Sequence, residues 1–231
     1  MQRYNKVLVT GGTGLVGKFL QEIMPDAIYV NSTDANLSND INAHSILYQH
    51  KPEIVIHLAA KVGGLYDNMK YPAEYYDDNI LINTNIVRAA KKHNVKHFIG
   101  ILSSCIYPDI VMNYPMEEHQ LFAGAPPKGN FSYAFAKRAM AAQIEAYNQQ
   151  YGLDWSYLIP CNLYGKYDKY GENNSHFVAA LIKKIYAAEK EIQLFGTVRP
   201  LRQFMHAMDL AKIIKLMVDK DIHGFYNVAP D

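Results

Sequence analysis

The chain has 231 residues, 49% of them hydrophobic, and its 23 Lys and Arg balance 22 Asp and Glu at a formal net charge of +1. That length carries one good-sized domain, or a domain with a small lobe. The interspersed charge leaves no basic footprint for nucleic acid or an anionic membrane surface. Cys105 and Cys161 form no disulfide framework and match no zinc spacing, so no metal is expected. No apolar run reaches the ~20 residues that span a bilayer. The N-terminus enters an apolar strand directly, with no signal-peptide core, and a reducing, cytoplasmic setting is the expectation.

Taken in chain order, apolar strands alternate with helical stretches, the pattern of an α/β, doubly wound parallel sheet covered on both faces. A strand over 6–10 runs into Gly11-Gly12-Thr13-Gly14-Leu15-Val16-Gly17, which opens a helix over 15–24. A backbone that must turn tightly and approach a pyrophosphate needs residues without Cβ, and a helix N-terminus adds free N–H groups. This turn predicts dinucleotide binding. The next strand, 27–30, ends at Asn31-Ser32-Thr33, ahead of Asp34. An acid at such a tip holds the ribose 2′-hydroxyl of NAD, whereas neither acid nor arginine stands here, so NADP is the expected cofactor. A helix over 43–50 and a strand over 54–58 follow, then a helix over 72–93 and a strand over 97–102.

Ser103-Ser104-Cys105 stands at the carboxyl edge of that strand, where open α/β sheets place ligands. A serine hydroxyl there suits a carbonyl gaining negative charge. Taken alone, the serines also suit a strand-ending turn and Cys105 a small buried hydrophobe. The irregular stretch 107–130, with Pro108, Pro115, Pro126 and Pro127, is long enough to be functional. In the helix over 131–151, Tyr133 and Lys137 are four residues apart and share a face. A cation beside a phenol is expected to favour the phenolate and make the tyrosine a usable proton donor. After a strand over 155–159 the alternation breaks between about 161 and 204, as a small inserted lobe would break it. His176 opens a helix over 176–189 behind the polar run Glu172-Asn173-Asn174-Ser175. Lys184 and Arg202 could bind phosphate, or could be solvated surface charge. A helix over 208–218 and a strand over 224–228 close the sequence.

Together these segments resemble the extended short-chain dehydrogenase/reductase family, and within it the GDP-L-fucose synthases, which are GDP-4-keto-6-deoxymannose 3,5-epimerase/4-reductases. The runs that carry the resemblance span the chain. They are 9–18, His57-Leu58-Ala59-Ala60-Lys61-Val62-Gly63-Gly64, Ser103-Ser104-Cys105-Ile106-Tyr107-Pro108, Tyr133-Ala134-Phe135-Ala136-Lys137-Arg138, Pro160-Cys161-Asn162-Leu163-Tyr164-Gly165, Asn174-Ser175-His176 and Arg202-Gln203-Phe204. The resemblance implies a Rossmann-like domain over 1–160, rejoined by 205–231, with 161–204 forming part of a substrate lobe. It implies Ser103, Tyr133 and Lys137 as a reductase triad and Cys105 with His176 as an epimerase acid/base pair. NADP(H) would be held by Gly11, Thr13, Gly14, Leu15, Val16, Gly17, Asn31, Leu58, Ala59, Ala60, Pro160, Asn162 and Leu163 together with Tyr133 and Lys137. A GDP-linked 4-keto-6-deoxy sugar would be held by Ser104, Asn162, His176, Lys184 and Arg202. Helices 72–93 and 131–151 would pair across a two-fold axis into a homodimer.

Two departures stand out. Lys166-Tyr167-Asp168-Lys169 replaces the family's usual Pro-His-Asp-Asn, in a loop expected to face the substrate and to bear on sugar identity. The sequence also ends at Asp231, where family members continue, so the C-terminal part of the sugar cover is expected to be missing. Two alternatives stay open: a sister enzyme acting on another 4-keto sugar, and a non-catalytic NADP-binding module.

Overall fold

The computed structural model describes residues 6–111, 113–171, 175–188, 190–194 and 201–230. Its strands are β1 (Val7–Thr10), β2 (Ile28–Val30), β3 (Ile54–His57), β4 (His97–Ile101), β5 (Ser156–Pro160), β6 (Asn162–Tyr164), β7 (Phe204–His206) and β8 (Phe225–Val228). Its helices are α1 (Leu15–Ile23), α2 (Asp40–His50), α3 (Leu65–Lys70), α4 (Pro72–Lys92), α5 (Phe131–Tyr151), α6 (Phe177–Ala187) and α7 (Ala207–Lys220). Six strands form one sheet in the order β2-β1-β3-β4-β5-β8, every pair parallel. β6 and β7 pair in a separate parallel ribbon.

The period of two along each strand divides the core between the sheet's faces. Val7, Val9, Ile54, Ile56 and Ile99 pack with α1 and α7, while Leu8, Val55 and Phe98 pack with α2, α4 and α5. Burial on both faces explains why the strands read as unbroken apolar runs. The chain leaves β1 for β2 on one side and returns to β3 on the other, so a switch-point crevice opens between the carboxyl ends of β1 and β3.

The expected strands all form, shifted by a residue at most, and five of the six expected helices start within a residue of their expected position. The helix expected over 43–50 starts three residues earlier, because the Asn39 side chain caps it by accepting the Ile41 N–H at 2.9 Å. α3, β6 and β7 were not expected; none is longer than six residues, too short to show a period. Residues 172–174 and Glu189, which the sequence reading used, lie outside the described residues.

The irregular stretch after β4 is tied down at several points. Short 3-10 turns occur at Ser104–Ile106, Glu118–Phe122 and Lys128–Asn130. Arg138 of α5, almost fully buried, donates to the Ile106 carbonyl and, at 2.6 Å, to that of Gly124. From β8, Asn227 accepts from the Tyr107 hydroxyl at 2.7 Å and donates to the Met116 carbonyl at 2.9 Å. Its backbone N–H donates to Glu118 at 2.6 Å.

Candidate active site

The turn after β1 is built for close approach. Gly11 sits at φ +74°, and a Cβ there would lie 2.8 Å from the Ala59 backbone nitrogen. A Cβ on Gly17 would lie 2.5 Å from the Gly12 carbonyl oxygen. These two glycines therefore serve the packing of turn, strand and helix. Gly14 differs: it caps α1, is exposed with Thr13, and a Cβ there would meet only the Gly11 oxygen, at 3.2 Å. The open side of Gly14, over the α1 N-terminus, fits a pyrophosphate. Leu58, Ala59 and Ala60 leave β3 across the crevice, with the Ala59 N–H donating to the Thr10 hydroxyl at 3.3 Å.

Asn31 follows β2 and opens a tight turn. Its side chain accepts from the Thr33 N–H and hydroxyl, and Asp34 folds back to accept the Asn31 N–H at 2.8 Å. The tip therefore does carry a carboxylate, contrary to expectation, and that carboxylate serves the turn.

Beneath the crevice, fully buried His57 joins three elements. Its Nδ1 lies 2.8 Å from the Thr10 hydroxyl and its Nε2 3.1 Å from Asn83, whose amide donates to the Ala136 carbonyl of α5. Burial, helped by the nearby Lys137 charge, lowers its pKa to about 3, so the ring stays neutral. Nothing in the sequence around His57 announces this brace.

Ser103 lies two residues beyond β4 and caps the first 3-10 turn, which Ser104 and Cys105 enter, and Tyr133 and Lys137 lie on the first turns of α5. Lys137, 2% exposed, donates from Nζ to the Ile101 carbonyl at 2.8 Å, and the same Nζ lies 6.0 Å from the centre of the Tyr133 ring. Burial pulls the lysine down to about 8, against a pull upward from Cys105. For Tyr133, burial dominates and pushes the phenol well above its ordinary value, with the charges of Cys105 and Tyr75 adding to the push. Contrary to the expected lowering, burial sets the direction of the Tyr133 shift, and the Lys137 ammonium is directed at the Ile101 carbonyl. Burial also raises the Cys105 thiol, while the nearby Ser103 hydroxyl and the charges of Lys137 and Arg138 draw it back.

The structure gathers Ser103, Cys105, Tyr133 and Lys137 into one electrostatic cluster. His176, at the start of α6, sits apart from it in hydrogen bonding, and the cations acting on Cys105 are Lys137 and Arg138 rather than a histidine. The partner of His176 is Asp168, with Nδ1 and Oδ1 3.0 Å apart. Asp168 did not figure among the expected site residues.

The departing loop also differs from expectation. Lys166 pairs with Glu22 of α1 at 2.9 Å, the Tyr167 hydroxyl donates to the same carboxylate at 2.6 Å, and the Tyr167 ring packs 4.9 Å from Phe19. Two of its four residues are thus anchored on α1.

Pro160 is buried at the end of β5. Asn162 binds the Gln203 carbonyl at 2.9 Å, and Leu163 packs on the α1–α7 face of the core. Lys184 is exposed and donates to the Gln193 carbonyl at 3.1 Å, and Arg202 is exposed.

Among the described residues, His97, Asp221 and His223 hold potential metal-ligand atoms within 4.8 Å of one another, at the opposite, N-terminal edge of the sheet. The two imidazoles stack with centres 4.0 Å apart and planes 28° apart, so their nitrogens do not converge on one point. Hydrogen bonds to Ser156 and Asp221 already engage them. Among the described residues, no helix is long and apolar enough to cross a membrane.

Known proteins match this architecture along the chain. A GDP-L-fucose synthase of Dictyostelium discoideum is 40% identical over 216 residues, which is 89% of this chain and 67% of that protein. A GDP-L-colitose synthase of Yersinia pseudotuberculosis is 35% identical over 90% of this chain and 70% of its own length. The solved structure of a GDP-L-fucose synthetase from Naegleria fowleri bound to NADP superposes with a TM-score of 0.88 at 31% identity, over 100% of this chain and 78% of that one. Matched by the model of the NAD dependent epimerase/dehydratase family from residue 7 to residue 229, from the first strand of the sheet to the last, the chain belongs to that family.

Proposed function

We propose that this chain catalyses NADPH-dependent epimerisation at C3 and C5 and reduction at C4 of a GDP-4-keto-6-deoxy sugar, giving GDP-L-fucose. The observation that carries the reading is that Cys105, Ser103, Tyr133 and Lys137 form one buried electrostatic cluster beyond the carboxyl end of β4. It sets a carbon-acid base inside a ketone reductase's triad, in a chain 40% identical to a GDP-L-fucose synthase.

A 4-ketone acidifies the hydrogens on C3 and C5. Ser103 and Tyr133 hold the ketone oxygen as negative charge develops, Cys105 removes a proton, and His176 returns one to the opposite face. The raised thiol keeps Cys105 mostly protonated at rest, and the charges of Lys137 and Arg138 favour the thiolate when it forms. When bound, the nicotinamide supplies the hydride for C4. Tyr133 gives its proton to the oxygen as the alkoxide forms; burial holds the phenol above its ordinary pKa and keeps that proton in place until then. Lys137 serves the cofactor ribose and the tyrosine. The exposed cations Lys184 and Arg202 take the nucleotide diphosphate, with residues 161–204 as part of the sugar's cover.

NADP is favoured over NAD because the Asp34 carboxylate is turned into its own loop and because the Naegleria relative binds NADP. The exposed Tyr76 and Leu81 of α4, with Phe131 and Phe135 of α5, suit a homodimer interface. Two free cysteines suit a reducing, cytoplasmic location. The likeness to a colitose synthase favours, as a second reading, a different GDP-linked 4-keto sugar.

The test is loss of NADPH absorbance with GDP-4-keto-6-deoxymannose, paired with deuterium wash-in at C3 and C5. Cys105→Ser is expected to slow wash-in and spare reduction of an already epimerised ketone, and Tyr133→Phe to do the reverse. NADPH that binds and is never consumed would remove the enzymatic reading. Wild-type wash-in by Cys105→Ser would remove the thiol's role.

A further inference from the structure

His176 is the N-cap of α6, with extended backbone (φ −72°, ψ 165°), yet its side chain makes no capping bond. The helix makes no use of the imidazole. What holds the ring is Asp168, 3.0 Å from Nδ1. The same oxygen of Asp168 accepts the Lys169 N–H at 2.8 Å, which marks it as an acceptor. Nδ1 must therefore carry hydrogen, and Nε2 is left for exchange with another molecule.

Burial gives the pair a direction. The Asp168 side chain is 3% exposed and that of His176 is 42% exposed, so a sequestered carboxylate backs an open ring. Asp168 is placed independently of the histidine. Its N–H donates to the Gly165 carbonyl at 3.0 Å, and its neighbours Lys166 and Tyr167 are clamped on Glu22 and Phe19 of α1. Its second oxygen, Oδ2, is buried with no hydrogen-bond partner among the described residues. A desolvated carboxylate oxygen without a donor is costly, and the turn itself does not require an acid. A negative charge in this place is useful only to a group that becomes positive in front of it.

We propose that Asp168 is the positioning residue for the proton-transfer histidine of this site: it fixes His176 as the Nδ1–H tautomer, directs Nε2 outward, and steadies the imidazolium. This rests on the reading of His176 as an epimerase acid. In the step, the Nε2 proton goes to the sugar carbanion, the C–H bond forms, and the N–H electron pair stays on Nε2. Nδ1 keeps its hydrogen and Asp168 stays ionised. The loop residues Lys166 and Tyr167, which looked like determinants of the sugar, hold this carboxylate in register.

The test uses the full chain with two readouts. In the first, nitrogen NMR of His176 at high pH is expected to show the Nδ1–H tautomer in the wild type and to lose that preference in Asp168→Asn. The same tautomer mixture in both would overturn the proposal whether or not the protein turns over. In the second, Asp168→Asn is expected to slow deuterium wash-in by roughly 10-fold or more, within the ~10²–10⁴ that general acid–base catalysis supplies. Reduction of an epimerised ketone and the KM for it should be unchanged, with Asp168→Glu recovering part of the rate. In a His176→Gln background, Asp168→Asn should add nothing further, whereas an independent packing role would multiply the two losses. A protein that exchanges no deuterium in its wild-type form refutes the proposed function. A wild type that exchanges, with Asp168→Asn equally fast, refutes only the role of Asp168.

Discussion

Replacing Lys137 by Met should cost the reductase its activity while lifting a pH-dependent burden from the fold. Lys137 is buried, with its pKa lowered from 10.5 to about 8. At ~1.4 kcal/mol for each pH unit, that lowering is worth about 3 kcal/mol against folding at neutral pH. The hydrogen bond to the Ile101 carbonyl works the other way. Its loss leaves a buried acceptor unpaired, at a cost of about 1–3 kcal/mol. At pH 7 the two proteins should therefore differ by no more than about 2 kcal/mol, with Lys137→Met at least as stable.

The pH dependence is cleaner, because the hydrogen-bond loss is nearly constant across it. Between about pH 8 and 10.5 the unfolded chain keeps a proton that folded Lys137 has released. Unfolding then takes up a proton, so wild-type stability rises with pH through this window. Tyrosines and other groups titrate there too, but they are common to both proteins and cancel in the difference. From pH 7 to pH 10 the wild type should gain about 2–3 kcal/mol on the variant, read as a rise of its urea midpoint to or past that of the variant at constant m-value. Parallel stability profiles over that range would refute the assignment of a buried, proton-losing lysine.

Two further substitutions probe the cradle and the brace. Gly11→Ala puts a Cβ at 2.8 Å from a backbone nitrogen at φ +74°, and is expected to destabilise the turn by about 1–3 kcal/mol and weaken NADPH binding in fluorescence titrations; unchanged affinity and midpoint would contradict the close packing described. His57→Ala should cost about 3 kcal/mol by unpairing Thr10 and Asn83 and opening a cavity. Because its pKa is lowered from 6.5 to about 3, the wild type should also lose stability as pH falls through that interval while the variant loses less. Equal acid sensitivity would show that the histidine is not the linked group.

The sheet was legible because its causes are local. Buried strands carry unbroken apolar runs, and Gly11 to Gly17 announce a turn that no side chain could make. Tyr133 and Lys137 could be set on one face of α5 by spacing alone. Their electrostatics could not, since the outcome depends on burial and on the Ile101 carbonyl, 36 residues from Lys137. The anchor of Lys166 and Tyr167 on α1 was out of reach for a similar reason: Glu22 lies 145 residues from Tyr167 in sequence. Asp168 and His176 meet across a loop of no regular period, so only the retained aspartate within an otherwise altered tetrapeptide could have signalled the pair. Asn39 is a readable cap, four residues ahead of the expected helix start at 43.

Asn227 gives the fold a timetable. This one side chain and its N–H bind Tyr107, Met116 and Glu118, all in the stretch that follows Ser103 and Cys105. Those bonds close loops of more than 100 residues, so they form late compared with neighbouring strand pairs. As the chain emerges from a ribosome, β1 to β5 can pair while the segment carrying Cys105 still lacks its tether. The thiol then lies in a segment held by Arg138 of α5 but not yet by β8, and the Asn227 bonds fix that segment once β8 docks beside β5. A nascent or heat-loosened molecule should be alkylated at Cys105 well before the sheet itself gives way.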